Sequence, residues 1–243
     1  MNKFQVFPSS VVVLVCLGFT GSSVGWADPT HPEHADYVED PLAPHKTTGT
    51  TARLGTAVGF LYNERTDALA LGLTAAGGGR WGRLAVEAEY SYLELSVAGP
   101  SNVRLGDAQR LAVIGRFDVI RLGSSIVGGN SMLAIYVEGG VGVAWNDWYR
   151  PAPGESSRVV PEDTKRVEAQ TGFGFMLDHR LQEPIGFPRR IGWFIGWRVA
   201  MAPHQTEPAS VCRGVECRPA PMMPNDRFVD RSMLFQSSMS VTW

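Results

Sequence analysis

Residues 232–243 read SMLFQSSMSVTW. Counting back from Trp243, one set of alternate positions holds Val241, Met239, Ser237, Phe235 and Met233. The positions between hold Thr242, Ser240, Ser238 and Gln236, with Leu234 the exception. A period of two belongs to a β-strand whose faces meet different surroundings. The segment therefore predicts a strand with one apolar face, one polar face and a terminal tryptophan. Which face meets water decides the fold.

The same period runs through seven earlier stretches, 53–62, 68–76, 83–95, 109–119, 132–145, 166–177 and 191–201. Their apolar sets are large. Residues 132–145 align Leu133, Ile135, Val137, Val141, Val143 and Trp145, and residues 191–201 align Ile191, Trp193, Ile195, Trp197, Val199 and Met201. The opposite set carries Glu87, Glu89, Arg110, Arg116, Asp118, Glu138, Arg166, Glu168, Gln170 and Arg198. Interleaved with these charges are Gly72, Ala85, Ala112, Gly140, Gly142, Gly172, Gly174 and Gly196.

A soluble sandwich points its apolar faces inward and its charges to water. Here the charged face is also the small-residue face, which suits a narrow interior. The face of Trp, Phe, Tyr, Leu and Val then suits hydrocarbon. A tilted membrane-spanning strand needs about 9–11 residues, which these stretches supply. In hydrocarbon, strands satisfy their backbone groups only by closing into a barrel. Eight stretches give the even number that a single-chain antiparallel barrel requires. The expected fold is all-β, a closed antiparallel eight-stranded transmembrane β-barrel over residues 53–243. A soluble sandwich or lipocalin-like barrel is the structural alternative, with the two faces exchanged.

The connections alternate between two sides. Residues 63–67, 96–107, 149–164 and 203–226 lie on one side, and the last two are long and Pro-rich. Residues 77–82, 120–131 and 178–190 lie on the other, with both ends of the barrel, the later two being long for periplasmic turns.

The N-terminal 27 residues are read as a secretory signal peptide, with Lys3, an apolar run from Val11 to Phe19 and a small-residue cleavage site at Ala27. The run falls short of the roughly 20 apolar residues that a spanning helix takes. Cleavage removes one lysine and no acid, which moves the net charge from −2 to −3. A chain so nearly neutral is a poor match for nucleic acid. Residues 28–52 show no period and read as a flexible periplasmic arm. His31, His34 and His45 lie there among Glu33, Asp36, Glu39 and Asp40, a set with the donors for a divalent metal but the composition of a solvated tail. In an exported chain, Cys212 and Cys217 are expected to form a disulfide. Zinc is the poorer reading, because no second ligand pair lies nearby.

The export signal, the eight alternating stretches and the closing MSVTW resemble small outer-membrane barrels of the OmpA/OmpX type. That resemblance implies an outer-membrane location and a barrel-assembly signal in Phe235, Met239, Val241 and Trp243. It implies partners in the barrel-assembly machinery, periplasmic chaperones, outer-membrane lipids and lipopolysaccharide, and a monomer. The barrel closes the chain, so no peptidoglycan-binding domain is expected to follow.

An eight-stranded bore is just wide enough for side chains to fill. Charges inside it must pair, because an isolated buried charge is expensive. The lumen cluster is therefore read as Glu87, Glu89, Arg116, Glu138, Arg166, Glu168 and Arg198, packed as a salt-bridged plug. A structural or surface-interaction role follows, with no cofactor and no enzymatic activity expected. A narrow gated channel, opened by exchange of ion pairs, is the first alternative. A lipid A-modifying enzyme is the second, and His204 with Ser210, Glu207 and Glu216 is the set considered for it. Their spacing matches no Ser–His–acid arrangement, and His179 in a turn reads as solvated. Arg213 and Arg218, beside Met222 and Met223, read as lipopolysaccharide-phosphate contacts or as solubilising charges.

Overall fold

The computed structural model describes residues 48–62, 67–97, 103–123, 130–151, 156–161, 163–181, 188–203, 209–214, 216–220 and 229–243. The signal-peptide stretch, residues 28–47 with their histidines, His204, Glu207, Met222 and Met223 lie outside them. Eleven strands follow in chain order: β1 Thr48–Tyr62, β2 Asp67–Trp81, β3 Leu84–Ser96, β4 Arg104–Leu122, β5 Ser131–Trp148, β6 Arg158–Pro161, β7 Thr164–Arg180, β8 Arg190–Pro203, β9 Ala209–Arg213, β10 Glu216–Pro219 and β11 Val229–Thr242.

Eight of them close into a barrel in the order β1-β11-β8-β7-β5-β4-β3-β2, every pair antiparallel. The closing seam runs from Thr51 opposite Thr242 to Tyr62 opposite Arg231, and the Trp243 amide donates to the Thr50 carbonyl at 3.0 Å. Gly49 permits that approach, since a Cβ there would collide with the Trp243 carbonyl oxygen. The barrel strands run from 13 to 19 residues. This exceeds the roughly 9–11 needed to cross hydrocarbon, so the wall projects beyond it.

The seam also moves one expected boundary. Residues 48–52, assigned to the arm by composition, are the first turnless length of β1. Their alternation continues that of the strand: Thr51 and Arg53 are buried, while Thr48 and Thr50 are exposed. Pairing with Gly77–Trp81 on one side supplies the ladder that holds them. In the same way, β2 continues to Trp81 through the glycines expected to form a turn, and the chain reverses at Gly82 with φ +57°. Only glycine adopts that backbone freely.

The faces divide as the alternation predicts. Leu54, Leu71, Leu73, Val141, Val167 and Met239 each expose between 59% and 66% of their surface on the outer wall. Charged side chains turn inward, and Glu87, Glu89, Arg116 and Arg198 are each only 3% exposed. One β-bulge, between Asp118 and Ile120 on β4, shifts the register against β5. It leaves Val119 and Ile120 both on the outside, at 44% and 46% exposure. Such an apolar belt is matched by hydrocarbon, not by water.

Strands β6, β9 and β10 form a second, three-stranded sheet at the loop end, in the order β10-β9-β6. Sequence patterning did not find it, because strands of four and five residues are too short to show a period. The Cys212–Cys217 disulfide joins β9 to β10, across the turn at Gly214 with φ +60°.

A charge placed at the middle of the belt tests the assignment of faces. Val141→Arg is expected to lower unfolding stability in phospholipid vesicles by about 2–4 kcal/mol. Denaturant titration of the refolded barrel measures this, and an unchanged midpoint would mean that Val141 faces water.

Candidate functional site

The lumen is the site, and its centre is a closed ring of alternating charges. Arg53 Nη2 donates to Glu87 Oε2 at 3.0 Å and to Glu89 Oε2 at 2.8 Å. Arg116 Nη2 donates to Glu87 Oε2 at 2.6 Å, and its Nε lies 3.9 Å from Glu138 Oε2. Arg198 Nε donates to Glu138 Oε1 at 2.7 Å, and Arg198 Nη1 donates to Glu89 Oε1. The circuit Arg53–Glu87–Arg116–Glu138–Arg198–Glu89 thus returns to its start with no net charge. Its side chains are 2–4% exposed. Thr51 supports it by donating to Glu87 at 3.3 Å, and Gln236 by donating to Glu89 at 3.5 Å.

Alternation turns these groups inward, and the strand register brings them to one level. Glu87 and Glu89 are successive inward positions of β3, and Arg116 of β4 stands opposite Ala85 on β3 and opposite Glu138 on β5. Glu138 is opposite Gly172, which is itself opposite Arg198. The glycines between the charges are spatial necessities. A Cβ at Gly174 or Gly196 would strike the Tyr136 hydroxyl, which lies over the two neighbouring strands β7 and β8. The Arg116 guanidinium lies 4.4 Å from the centre of the Phe194 ring and 5.1 Å from that of Tyr136. The Arg53 guanidinium lies 5.5 Å from Phe194. Cation–π contacts therefore cover faces of the ring that no carboxylate reaches.

Other layers lie on either side. Toward the chain termini, Met132, Ala134, Tyr136, Met176 and Phe194 form an apolar cluster. Beyond it, Asp118 accepts from Arg80 and from Arg121 at 2.7 Å, and Arg190 donates to Asp178 at 3.1 Å. Toward the loops, Arg166 donates to Asp230 at 2.6 Å and Arg110 to Ser232 at 2.8 Å, with Arg110 Nε 3.4 Å from Glu168.

The loop-end mouth is capped. Val160 of β6 and Cys212 of β9 are buried with Leu61, Leu93, Leu95, Leu105, Trp148 and Leu234 in one apolar cluster. Arg158 fastens the small sheet to the rim, donating to the Tyr149 carbonyl at 2.6 Å and to the Arg104 carbonyl at 3.3 Å. Tyr149 in turn bonds Asp107, under the Arg104 guanidinium at 5.1 Å from its ring centre. Burial first, and then the bond to Asp107, push the Tyr149 phenol well above its ordinary value.

Of the seven residues read as the lumen cluster, Glu87, Glu89, Arg116, Glu138 and Arg198 stand in the ring, while Arg166 and Glu168 belong to the layer nearer the loops. The sequence reading missed Arg53, although it shares the inward parity of Gly55 and Ala57. It also missed Arg80, Asp178 and Asp230, which lie near strand ends where parity is hardest to count.

On the outer wall, Phe235 packs against Trp197 with ring centres 5.2 Å apart. Ser237, the gap in the apolar series of the last strand, accepts from the Trp193 indole Nε1 at 3.1 Å. The expected disulfide between Cys212 and Cys217 is present. Ser210 lies on β9 and Glu216 on β10. His179 meets the Ser131 hydroxyl at 3.0 Å, both exposed, as a cross-strand pair. Among the described residues no carboxylate holds His179 and no group of acids, histidines or cysteines is arranged for a metal.

No family model matches the chain, and no curated protein matches it. Among solved structures, Neisserial surface protein A has TM-score 0.46 and 10% identity, covering 80% of this chain and 97% of its own. Ail, the attachment invasion locus protein of Yersinia pestis, has TM-score 0.35 and 11% identity, over 80% of this chain and 99% of its own. The outer membrane protein OprG from Pseudomonas aeruginosa has TM-score 0.40 and 12% identity, over 82% of this chain and 98% of its own.

Arg198 is the test of the ring, since it alone bonds Glu138 and Glu89 together. Arg198→Ala leaves two buried carboxylates short of a partner and is expected to cost about 3–5 kcal/mol. Adding Glu89→Gln and Glu138→Gln is expected to restore part of that loss. Equilibrium unfolding in detergent or vesicles reads both, and a neutral single variant would remove the ring from the account of stability.

Proposed function

We propose that this chain is an integral outer-membrane protein whose lumen is plugged and whose role is structural or surface-interactive. The observation that carries the reading is a bore filled by a neutral ion-pair ring and capped at one mouth by a stapled sheet. A wall of this kind offers a rigid mount for loops, and loops on rigid scaffolds often carry binding. In this reading the termini face the periplasm, the small sheet faces outward, and the barrel is a monomer spanning the outer membrane. Phe235, Met239, Val241 and Trp243 then form the outward-facing signal for the barrel-assembly machinery, reached through periplasmic chaperones. Exposed Arg213 and Arg218, on the outward sheet, are suited to charge-assisted bonds with lipopolysaccharide phosphates.

Two measurements test this. Isolated outer membranes are expected to hold the protein in a form that shifts its gel mobility only after boiling in detergent. The same protein in planar bilayers is expected to give no steady conductance. Recovery in the soluble periplasmic fraction would sink the membrane reading, and a stable ohmic conductance would replace the plug with a narrow channel.

A further inference from the structure

The terminus end of the barrel is basic. Among the described residues, Arg80, Arg83, Arg121, Arg180, Arg189 and Arg190 gather there, against Asp118, Asp178 and the terminal carboxylate of Trp243. Asp118 is shared between Arg80 and Arg121, and Arg190 donates to Asp178 at 3.1 Å. Arg83, Arg180 and Arg189 are exposed, while Arg121 and Arg190 are half-buried. Arg180 and Arg190 stand directly opposite each other across β7 and β8. Like charges so placed on a sheet repel. The connections 124–129 and 182–187 at this end add one acid in sequence, Glu183, so the balance stays positive.

These arginines surround the point where the chain enters the wall. Thr48, the first residue of β1, is opposite Trp81, two residues before Arg83. Arg83 is held at the rim, where its Nη1 donates to the Val119 carbonyl at 3.3 Å. On the other flank of β1, Thr51 is opposite Thr242, whose carbonyl accepts from the Arg189 amide at 2.9 Å. Arg180 and Arg190 share the inward parity of Asp178, and Arg121 is opposite buried Ala134. These three therefore border the opening of the bore and not the lipid-facing wall.

The sequence just before Thr48 has the opposite sign. Residues 28–47 carry Asp28, Glu33, Asp36, Glu39 and Asp40 against Lys46. From Asp40 to Thr48 an extended chain reaches up to about 26–29 Å. That covers the mouth of a bore only wide enough for side chains. Tethering decides between this segment and a separate anion. A segment attached at the rim of its own site meets it at an effective concentration in the millimolar range. Single exposed ion pairs contribute little, so several acids must act together, and the contact must weaken with salt.

We propose that residues 28–47 fold back over the terminus-end mouth and pair their carboxylates with the guanidiniums of Arg83, Arg180, Arg189 and Arg190. The inference needs the closed barrel but not a sealed lumen. It gives the acidic segment an occupied surface on the chain's own wall, at the end opposite the small sheet.

Photo-crosslinking in isolated membranes tests this on the full chain. A benzophenone-bearing phenylalanine replaces Tyr37, and mass spectrometry maps its adducts. Crosslinks are expected to peptides around Arg83 and to those spanning 178–190. Raising salt from about 0.01 M to about 1 M shortens the screening length from roughly 30 Å to roughly 3 Å and is expected to reduce them at least about fivefold. The combined variant Glu33→Gln, Asp36→Asn, Glu39→Gln and Asp40→Asn is expected to reduce them equally. None of these positions lies in a barrel strand, and the gel shift on boiling confirms that each sample is folded. No internal crosslink, or one that survives both salt and neutralisation, would overturn the proposal. Adducts to lipid alone would overturn it too, and would assign the basic mouth to anionic headgroups.

Discussion

The structure depends on one requirement: in hydrocarbon, each backbone N–H and C=O of the wall must find its partner within the wall. Seven antiparallel pairings between successive barrel strands leave two edges, and only the pairing of β1 with β11 removes them. The seam extends from Thr51 and Thr242 to Tyr62 and Arg231, with Trp243 still bonded to Thr50 beyond its end. The edges of β1 and β11 are thus satisfied only by each other. Gly49 and the alternation of Thr48 through Thr51 belong to that closure, which explains why a segment with the composition of a tail is built into the wall.

Closure fixes the bore, and the bore dictates what fills it. A cylinder of eight strands has room for side chains and little more. At the level of the ring its inward positions pair long charged side chains with glycines and alanines. Arg53, Arg116 and Arg198 span the middle because Gly172, Gly174 and Gly196 concede the space, with Tyr136 occupying the room left by two of them. The charges are expensive to bury singly and far less so in a circuit where each carboxylate meets two guanidiniums. The ring therefore acts as a unit. Its members gain their stability from one another and not from solvent.

The alternation of apolar and small or charged residues made the barrel legible, including the number of its strands and the direction of each face. The same parity gathered Glu87, Glu89, Arg116, Glu138 and Arg198 before any coordinates. Parity says which side a residue faces, but not its height along the barrel axis. That is why Arg166 and Glu168 were grouped with charges one layer below them, and why Arg53 went unread beside a boundary set by composition. Ser237 looked like a lapse in the final strand's apolar face. It is the acceptor for the Trp193 indole, a relation between neighbouring strands that one strand's pattern cannot express. The β6, β9 and β10 sheet was invisible for a different reason: its order comes from cross-strand pairing, a disulfide and apolar contact with the barrel mouth, none of which needs a periodic sequence.

The two ends of the lumen are closed by different physics. At the loop end the closure is apolar, with Val160 and Cys212 set against Leu93, Leu95 and Trp148, and it is positioned from outside the barrel by Arg158 holding two rim carbonyls. At the terminus end the bore narrows around Phe194, Met176 and Met132 and then finishes in arginine–aspartate pairs. An apolar cap drawn from loops is joined to the barrel by packing and a few hydrogen bonds, whereas the terminal pairs arise from the wall strands themselves. Local opening follows the smaller and less interconnected set of contacts. Among the described residues, local opening is therefore expected at the small sheet before the ring or the wall, since its contacts with the barrel are an apolar cluster and the two rim bonds of Arg158.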